Sequence, residues 1–256
     1  MFTIIEDIGP ILFAVCVTAA LVAGFVKGAV GFGMPMILIS AIGSFLTPDL
    51  ALAALIVPTV VSNLWQAIRG GFAAAWRTIR AFRRLIFTLL ICIAASAQLV
   101  GRIPSTWFFL ILGFPIVLFA TLQLTSAALR IRPERRSAAE ILVGVVSGLI
   151  GGVSGVWGPP VVAFLNATDS PKSAQIGVQG VVYGAGSLVL LLSHVKSGVL
   201  NGQTAWLSAA LVIPALLGMA LGFFVQDRLD QDRFRRATLF VLILAGLNLI
   251  RRGLAG

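Results

Sequence analysis

Apolar residues run through this chain in long stretches, and polar ones gather in the short gaps between them. The stretches fall at 10–29, 49–68, 85–101, 106–129, about 138–153, 173–193, 204–225 and 234–250. Each is long enough, or nearly so, to cross a hydrocarbon core about 30 Å thick as a helix rising about 1.5 Å per residue. Two further apolar pieces, Pro35–Phe45 and Pro159–Ala167, are too short to cross and cover roughly half of that thickness. Each follows a glycine-rich interruption and opens on proline, a residue tolerated in the first turn of a helix, where its missing N–H costs nothing. The pattern predicts two helical hairpins, each of a long helix, a break near 30–34 or 154–158, and a half-helix.

The two interruptions are copies of one another. Gly24-Phe25-Val26-Lys27-Gly28-Ala29-Val30-Gly31-Phe32-Gly33-Met34-Pro35 returns as Gly148-Leu149-Ile150-Gly151-Gly152-Val153-Ser154-Gly155-Val156-Trp157-Gly158-Pro159-Pro160, and Gly24/Gly148, Gly28/Gly152, Gly31/Gly155 and Pro35/Pro159 are each 124 positions apart. This divides a single membrane domain, residues 1–256, into repeats at 8–130 and 137–252. A broken hairpin returns the chain to the side it entered, and three further spans follow in each half, so the halves are expected to have opposite orientations. The arginines agree. With the N-terminus outside, Arg69, Arg77, Arg80, Arg83 and Arg84, then Arg130, Arg132, Arg135 and Arg136, then Arg228, Arg233, Arg235 and Arg236, with Lys172, all fall on the cytoplasmic side. Arg102, Lys196, Arg251 and Arg252 are left outside. The expected fold is an all-α, polytopic transmembrane protein of two inverted repeats.

Composition narrows the function classes. With 59% hydrophobic and 11% charged residues, and a mean hydropathy of +1.03, the chain lacks the polar surface of a soluble globule. Its net charge of +10 is spread over loops between spans, which points to topology and lipid rather than to nucleic acid. Cys16 and Cys92 lie inside apolar runs with no ligating neighbour, so no metal, cofactor or disulfide is expected. Glu6 and Asp7 ahead of Pro10 do not fit a cleavable signal.

Inverted repeats around broken helices are the architecture of secondary transporters, whose sites lie near the midplane between the repeats. Each half-helix starts with unpaired N–H groups and a partial positive charge. Two such starts facing one point suit an anion. The candidate binding residues are therefore Gly28, Gly31, Phe32, Gly33 and Met34 from the first break, and Gly152, Ser154, Gly155, Val156, Trp157 and Gly158 from the second. The plainer reading is that such glycines only let helices pack closely, and Gly24/Gly28 and Gly148/Gly152 fit that pattern. Two polar rows join them: Thr59, Asn63 (or Ser62) and Gln66 in the first half, and Gln175, Gln179, Tyr183 and Ser187 in the second, spaced along one helix face. These either line a polar path or bond between helices. Lys27 is the one cation within a break; it either neutralises an anion or snorkels to the surface, and its repeat partner is Gly151. Asp49, Glu140 and Asp169 sit near span ends, so no carboxylate relay is visible.

An enzyme reading competes with transport. Gly152-Val153-Ser154-Gly155 matches the G-x-S-G of rhomboid-like intramembrane serine proteases, and the only histidine, His194, could supply a base. The repeat, however, pairs Ser154 with Val30 and His194 with Gly70, so it exists without a dyad, and His194 beside Lys196 reads as a loop residue.

With both glycine blocks in hand, the sequence resembles the TauE/SafE family of sulfite and organosulfonate exporters, the TSUP permeases. Gly24–Pro35 is similar to the family's first glycine-rich block, Gly148–Pro160 to its second, and the basic loop Arg228–Arg236 after Gly218 and Gly222 to its closing region. The resemblance implies a multi-pass protein of the bacterial inner membrane that moves sulfite, sulfoacetate or related sulfonates, mostly outward. A permease for another small organic anion, such as a carboxylate, is the alternative within transport.

Overall fold

The structure, a computed structural model, describes residues 3–125, 130–168, 172–226 and 230–255. Asp169, Arg228 and the last residues of the 106–129 stretch lie outside them. In order, the helices are α1 (Thr3–Val30), α2 (Met34–Gly43), α3 (Pro48–Ile68), α4 (Phe72–Ala81), α5 (Arg83–Ser96), α6 (Ser105–Leu124), α7 (Arg136–Ser154), α8 (Gly158–Ala167), α9 (Lys172–Lys196), α10 (Thr204–Ala210), α11 (Val212–Gln226) and α12 (Gln231–Ala255). Short 3-10 turns extend α5 (Ala97–Arg102) and precede α7 (Pro133–Arg135). Eight helical segments are long and apolar enough to cross a membrane, and no strand occurs among the described residues. The protein is all-helical and polytopic.

The two short pieces form as the proline pattern predicts. The α2 and α8 helices are 10 residues each, with proline in the first turn, and a shift of 124 positions carries one onto the other residue for residue. Elsewhere the structure corrects the boundaries. The first break is only Gly31–Gly33, because α1 continues through Lys27 and Gly28 to Val30. The basic stretch between Arg69 and Arg84, expected as a loop, contains α4. Its Phe72, Trp76 and Ile79 are exposed together with Arg77 and Arg80, as suits a helix lying at a membrane surface. The 204–225 span is divided at Leu211 into α10 and α11.

Four helix pairs make most of the packing: α1 against α11, α7 against α5, α3 against α9, and α6 against α12. Lipid is as apolar as leucine, so association relies on close backbone approach at small residues. At α1 and α11, Gly24 lies on the Ala215 carbonyl, Gly28 on that of Met219, Gly218 on that of Leu21 and Gly222 on that of Phe25, each with no room for a methyl group. The α7 glycines 144, 148 and 152 repeat this against α5, where a Cβ at Gly148 would lie 2.6 Å from the Leu89 oxygen. Large apolar side chains such as Phe87, Phe114, Leu217 and Leu244 face outward, where lipid would lie, while Lys27, Thr59, Asn63, Gln66, Gln179, Ser187 and His194 are buried. A methyl at position 24 overlaps backbone that cannot move aside. Gly24→Val is therefore expected to destabilise the α1–α11 pair by at least the 1–3 kcal/mol typical of overpacking. Gly177→Ala, on an exposed helical position with nothing within 4 Å, is expected to leave the melting temperature unchanged or raise it slightly. Thermal unfolding of the purified variants in detergent checks both.

Candidate functional site

The breaks meet. Glycine makes both possible, since Gly31 (φ 86°), Gly33 (φ 95°) and Gly155 (φ 71°) all take the left-handed conformation that other residues avoid. Gly31 closes α1 by donating to the Lys27 carbonyl at 2.7 Å, and Gly155 closes α7 by donating to Gly151 at the same distance. Beyond these caps the chain turns into α2 and α8. The backbone N–H groups of Phe32, Gly33 and Trp157 donate to no protein acceptor among the described residues. Val156 donates to Ser154 Oγ at 3.0 Å, and Pro159 and Pro160 have no N–H to offer.

A cavity of about 20 Å³ lies between the two breaks, lined by Lys27, Phe32, Gly33, Pro35 and Met36 from the first hairpin, Asn63 from α3, and Gly155, Val156, Trp157, Gly158 and Tyr183 from the second half. That is room for about one water molecule. The lining contains one charged group. Lys27 is 1% exposed, so it does not snorkel; its Nζ donates to Ser62 Oγ at 3.1 Å and to Asn63 Oδ1. Asn63 in turn donates to the Tyr183 carbonyl at 3.2 Å, which ties α3 to α9, and the Tyr183 hydroxyl donates to the Gly158 carbonyl at 3.3 Å. Trp157 packs edge-on to Tyr183 with ring centres 6.5 Å apart, and lies over Gly151, where a Cβ would come within 2.8 Å of its ring. No carboxylate lines the cavity. The arrangement offers an anion one lysine amino group, unengaged backbone N–H groups and two helix starts, with no carboxylate to oppose it.

The structure separates the remaining sequence candidates. Gln66 stands beside the first break, donating to the Gly31 and Ile176 carbonyls at 3.1 Å each, and the Gln179 amide oxygen approaches Gly31 from α9. The amide oxygens of Gln66 and Gln179 and the Thr59 hydroxyl are buried without a partner among the described residues. Ser187 is satisfied locally, donating to Gly184 at 3.0 Å. Gln175 is half-buried one turn before Gln179, and Met34 is fully buried at the start of α2. Gly28 and Gly152 do not line the cavity: they are the close contacts of α1 with α11 and of α7 with α5. Ser62, named in the sequence as an alternative to Asn63, bonds Lys27 together with it, while two residues of the lining, Pro35 and Met36, were not singled out as binding residues in the sequence. For both the signal was available, since they form the first turn of α2.

Ser154 and His194 do not form a dyad. The Ser154 hydroxyl donates to the Ile150 carbonyl at 2.7 Å, and it accepts from Val156. His194, expected as a loop residue, is fully buried at the end of α9. One ring nitrogen is 2.9 Å from the Gly152 carbonyl and the other 3.1 Å from Ser197 Oγ. Both side chains hold backbone in place.

A model of the family described as sulfite exporter TauE/SafE matches residues 16–249. No curated protein and no solved structure matches the chain. The family match takes in both breaks and every helix that lines the cavity, and the chain is a member of the TauE/SafE sulfite exporter family, a family of membrane transporters.

Proposed function

We propose that this protein is a permease that exports small sulfur-containing anions, such as sulfite or organosulfonates, across the bacterial inner membrane. The observation that carries the reading is the buried Lys27 side chain, facing a cavity between the starts of two half-helices from the two halves of the chain. The family match supplies the sulfur anion as the substrate class. In this reading residues 8–130 and 137–252 are inverted repeats, and the cavity lies on the axis between them. The exchange of partners supports this: α1 pairs with α11 as α7 pairs with α5, and α3 and α6 pair with their own counterparts α9 and α12. The anion is held by Lys27, by N–H groups at Phe32, Gly33, Trp157 and Gly158, and by the polar neighbours Asn63 and Tyr183. Gln66 and Gln179 steady Gly31. A space of about 20 Å³ is too small for an anion of several heavy atoms, so α2 and α8 must part to admit one, and they do so alternately on the two sides.

Two outcomes are expected. Sulfite and small sulfonates should raise the melting temperature of the purified protein, by about 2.7 kcal/mol of added stability at a hundredfold excess over the dissociation constant, and should move saturably across proteoliposomes. Carboxylates of the same size should compete weakly. Gly155→Val, strained at φ 71° and pressed within 2.7 Å of Leu55 Cδ1, should abolish both effects. Stabilisation by carboxylates but not by any sulfur anion would contradict the substrate assignment. His194→Ala should behave differently: it leaves the Gly152 carbonyl unpaired, at a cost of about 1–3 kcal/mol, and so lowers the melting temperature while the dissociation constant for the anion stays the same. A lost affinity in that variant would instead place His194 in the transport site.

A further inference from the structure

The permease reading leaves open what moves with the anion, and Lys27 bears on it. Its amino group lies inside the protein with no carboxylate beside it. From α3 it meets Ser62 and Asn63, and from α9 the cavity receives Tyr183; α2, α8, α10 and α11 carry no ionisable side chain. Arg233 of α12 pairs at 3.0 Å with Asp230, the residue before that helix. The other ion pair among the described residues, Arg136 with Glu140 at 3.2 Å, belongs to α7. Within α1 the nearest carboxylate in sequence, Asp7, is twenty residues away, about 30 Å along the helix.

The donor count is also informative. An ammonium has three N–H groups and a neutral amine has two. The protein supplies Lys27 with two acceptors, Ser62 Oγ and Asn63 Oδ1. These match both N–H groups of the neutral amine. The charged form has one donor left over and a charge unmatched in a low-dielectric interior, and a bound anion supplies what both require.

We propose that Lys27 carries a proton together with the anion. With an anion in the cavity Lys27 is an ammonium ion paired with it. When the anion leaves, the N–H bond facing the cavity breaks, its electron pair stays on Nζ, and the proton departs to the same side. The empty site then holds a neutral amine bonded to Ser62 and Asn63, and it can reorient without dragging a bare charge through the membrane. One monovalent anion and one proton cross together, so the cycle moves no net charge. This rests on the permease reading and adds the coupling ion to it.

The test uses methanesulfonate, which stays ionised at any relevant pH. Proteoliposomes containing the full-length protein and a lumenal pH dye are clamped at zero potential with potassium and valinomycin, and given an inward gradient of the sulfonate. The wild type should take up sulfonate and acidify the lumen, with about one proton per anion by linkage. Lys27→Arg keeps the charge but cannot release it, and should show residual sulfonate flux with no acidification. Should that variant fail to fold, calorimetric titration of the wild type in two buffers of different ionisation enthalpy at alkaline pH decides the matter, with uptake of about one proton per sulfonate bound expected. Wild-type flux or binding without proton movement, or acidification that persists in Lys27→Arg, overturns the coupling role and leaves the permease reading standing. Failure of the wild type to bind or move any sulfur anion overturns the permease reading itself, and this inference with it.

Discussion

Backbone that leaves a helix within a membrane must find its hydrogen bonds in protein, because lipid offers none. Everything around the two breaks follows from that requirement. Gly31 and Gly155 cap α1 and α7 in a left-handed turn, α3 and α9 close over the exposed backbone, and the amide of Gln66 reaches across to the Gly31 carbonyl. Shielding of this kind cannot be complete at a helix start, where the first N–H groups have no partner in their own helix. Two such starts come together here. What they leave unsatisfied is what recommends the cavity as an anion site.

The glycines serve two different ends within a few residues of each other. Those at 24 and 28 bring α1 onto α11, and those at 148 and 152 bring α7 onto α5, so the helices leading to each break are held at backbone distance. Those at 31, 33 and 155 bend the chain. The first set fixes where the bends lie; the second gives them their shape. Ser154 and His194 belong with the first set, since each bonds a backbone carbonyl of α7.

Much of this was legible in the chain because glycine and proline mark backbone conformation locally. The constant spacing of 124 positions, and prolines 35 and 159, located the start of both half-helices to within a residue. What was not legible depends on contacts between distant segments. The four-residue interval of Gly24 and Gly28 suits packing and binding alike, and only the approach of α11 separates them. Lys27 had no counterpart at Gly151, and its place at the cavity becomes visible only when α3 brings Ser62 and Asn63 to it. His194 read as a loop residue because Lys196 follows it, yet the chain folds back so that Leu200 donates to the His194 carbonyl at 2.9 Å and the ring is buried beneath. The α4 helix was hidden by its arginines, although the interval from Phe72 to Trp76 and Ile79 is that of one helical face.

An anion is expected between the two breaks, in contact with Lys27. The most direct measurement is an experimental structure of the protein soaked with selenite, whose selenium scatters anomalously and whose oxyanion resembles sulfite. An anomalous peak is expected between Phe32–Gly33 and Val156–Gly158, with a selenite oxygen within hydrogen-bonding distance of Lys27 Nζ. A peak only at the surface arginines, or at a site that Lys27 does not reach, would contradict it.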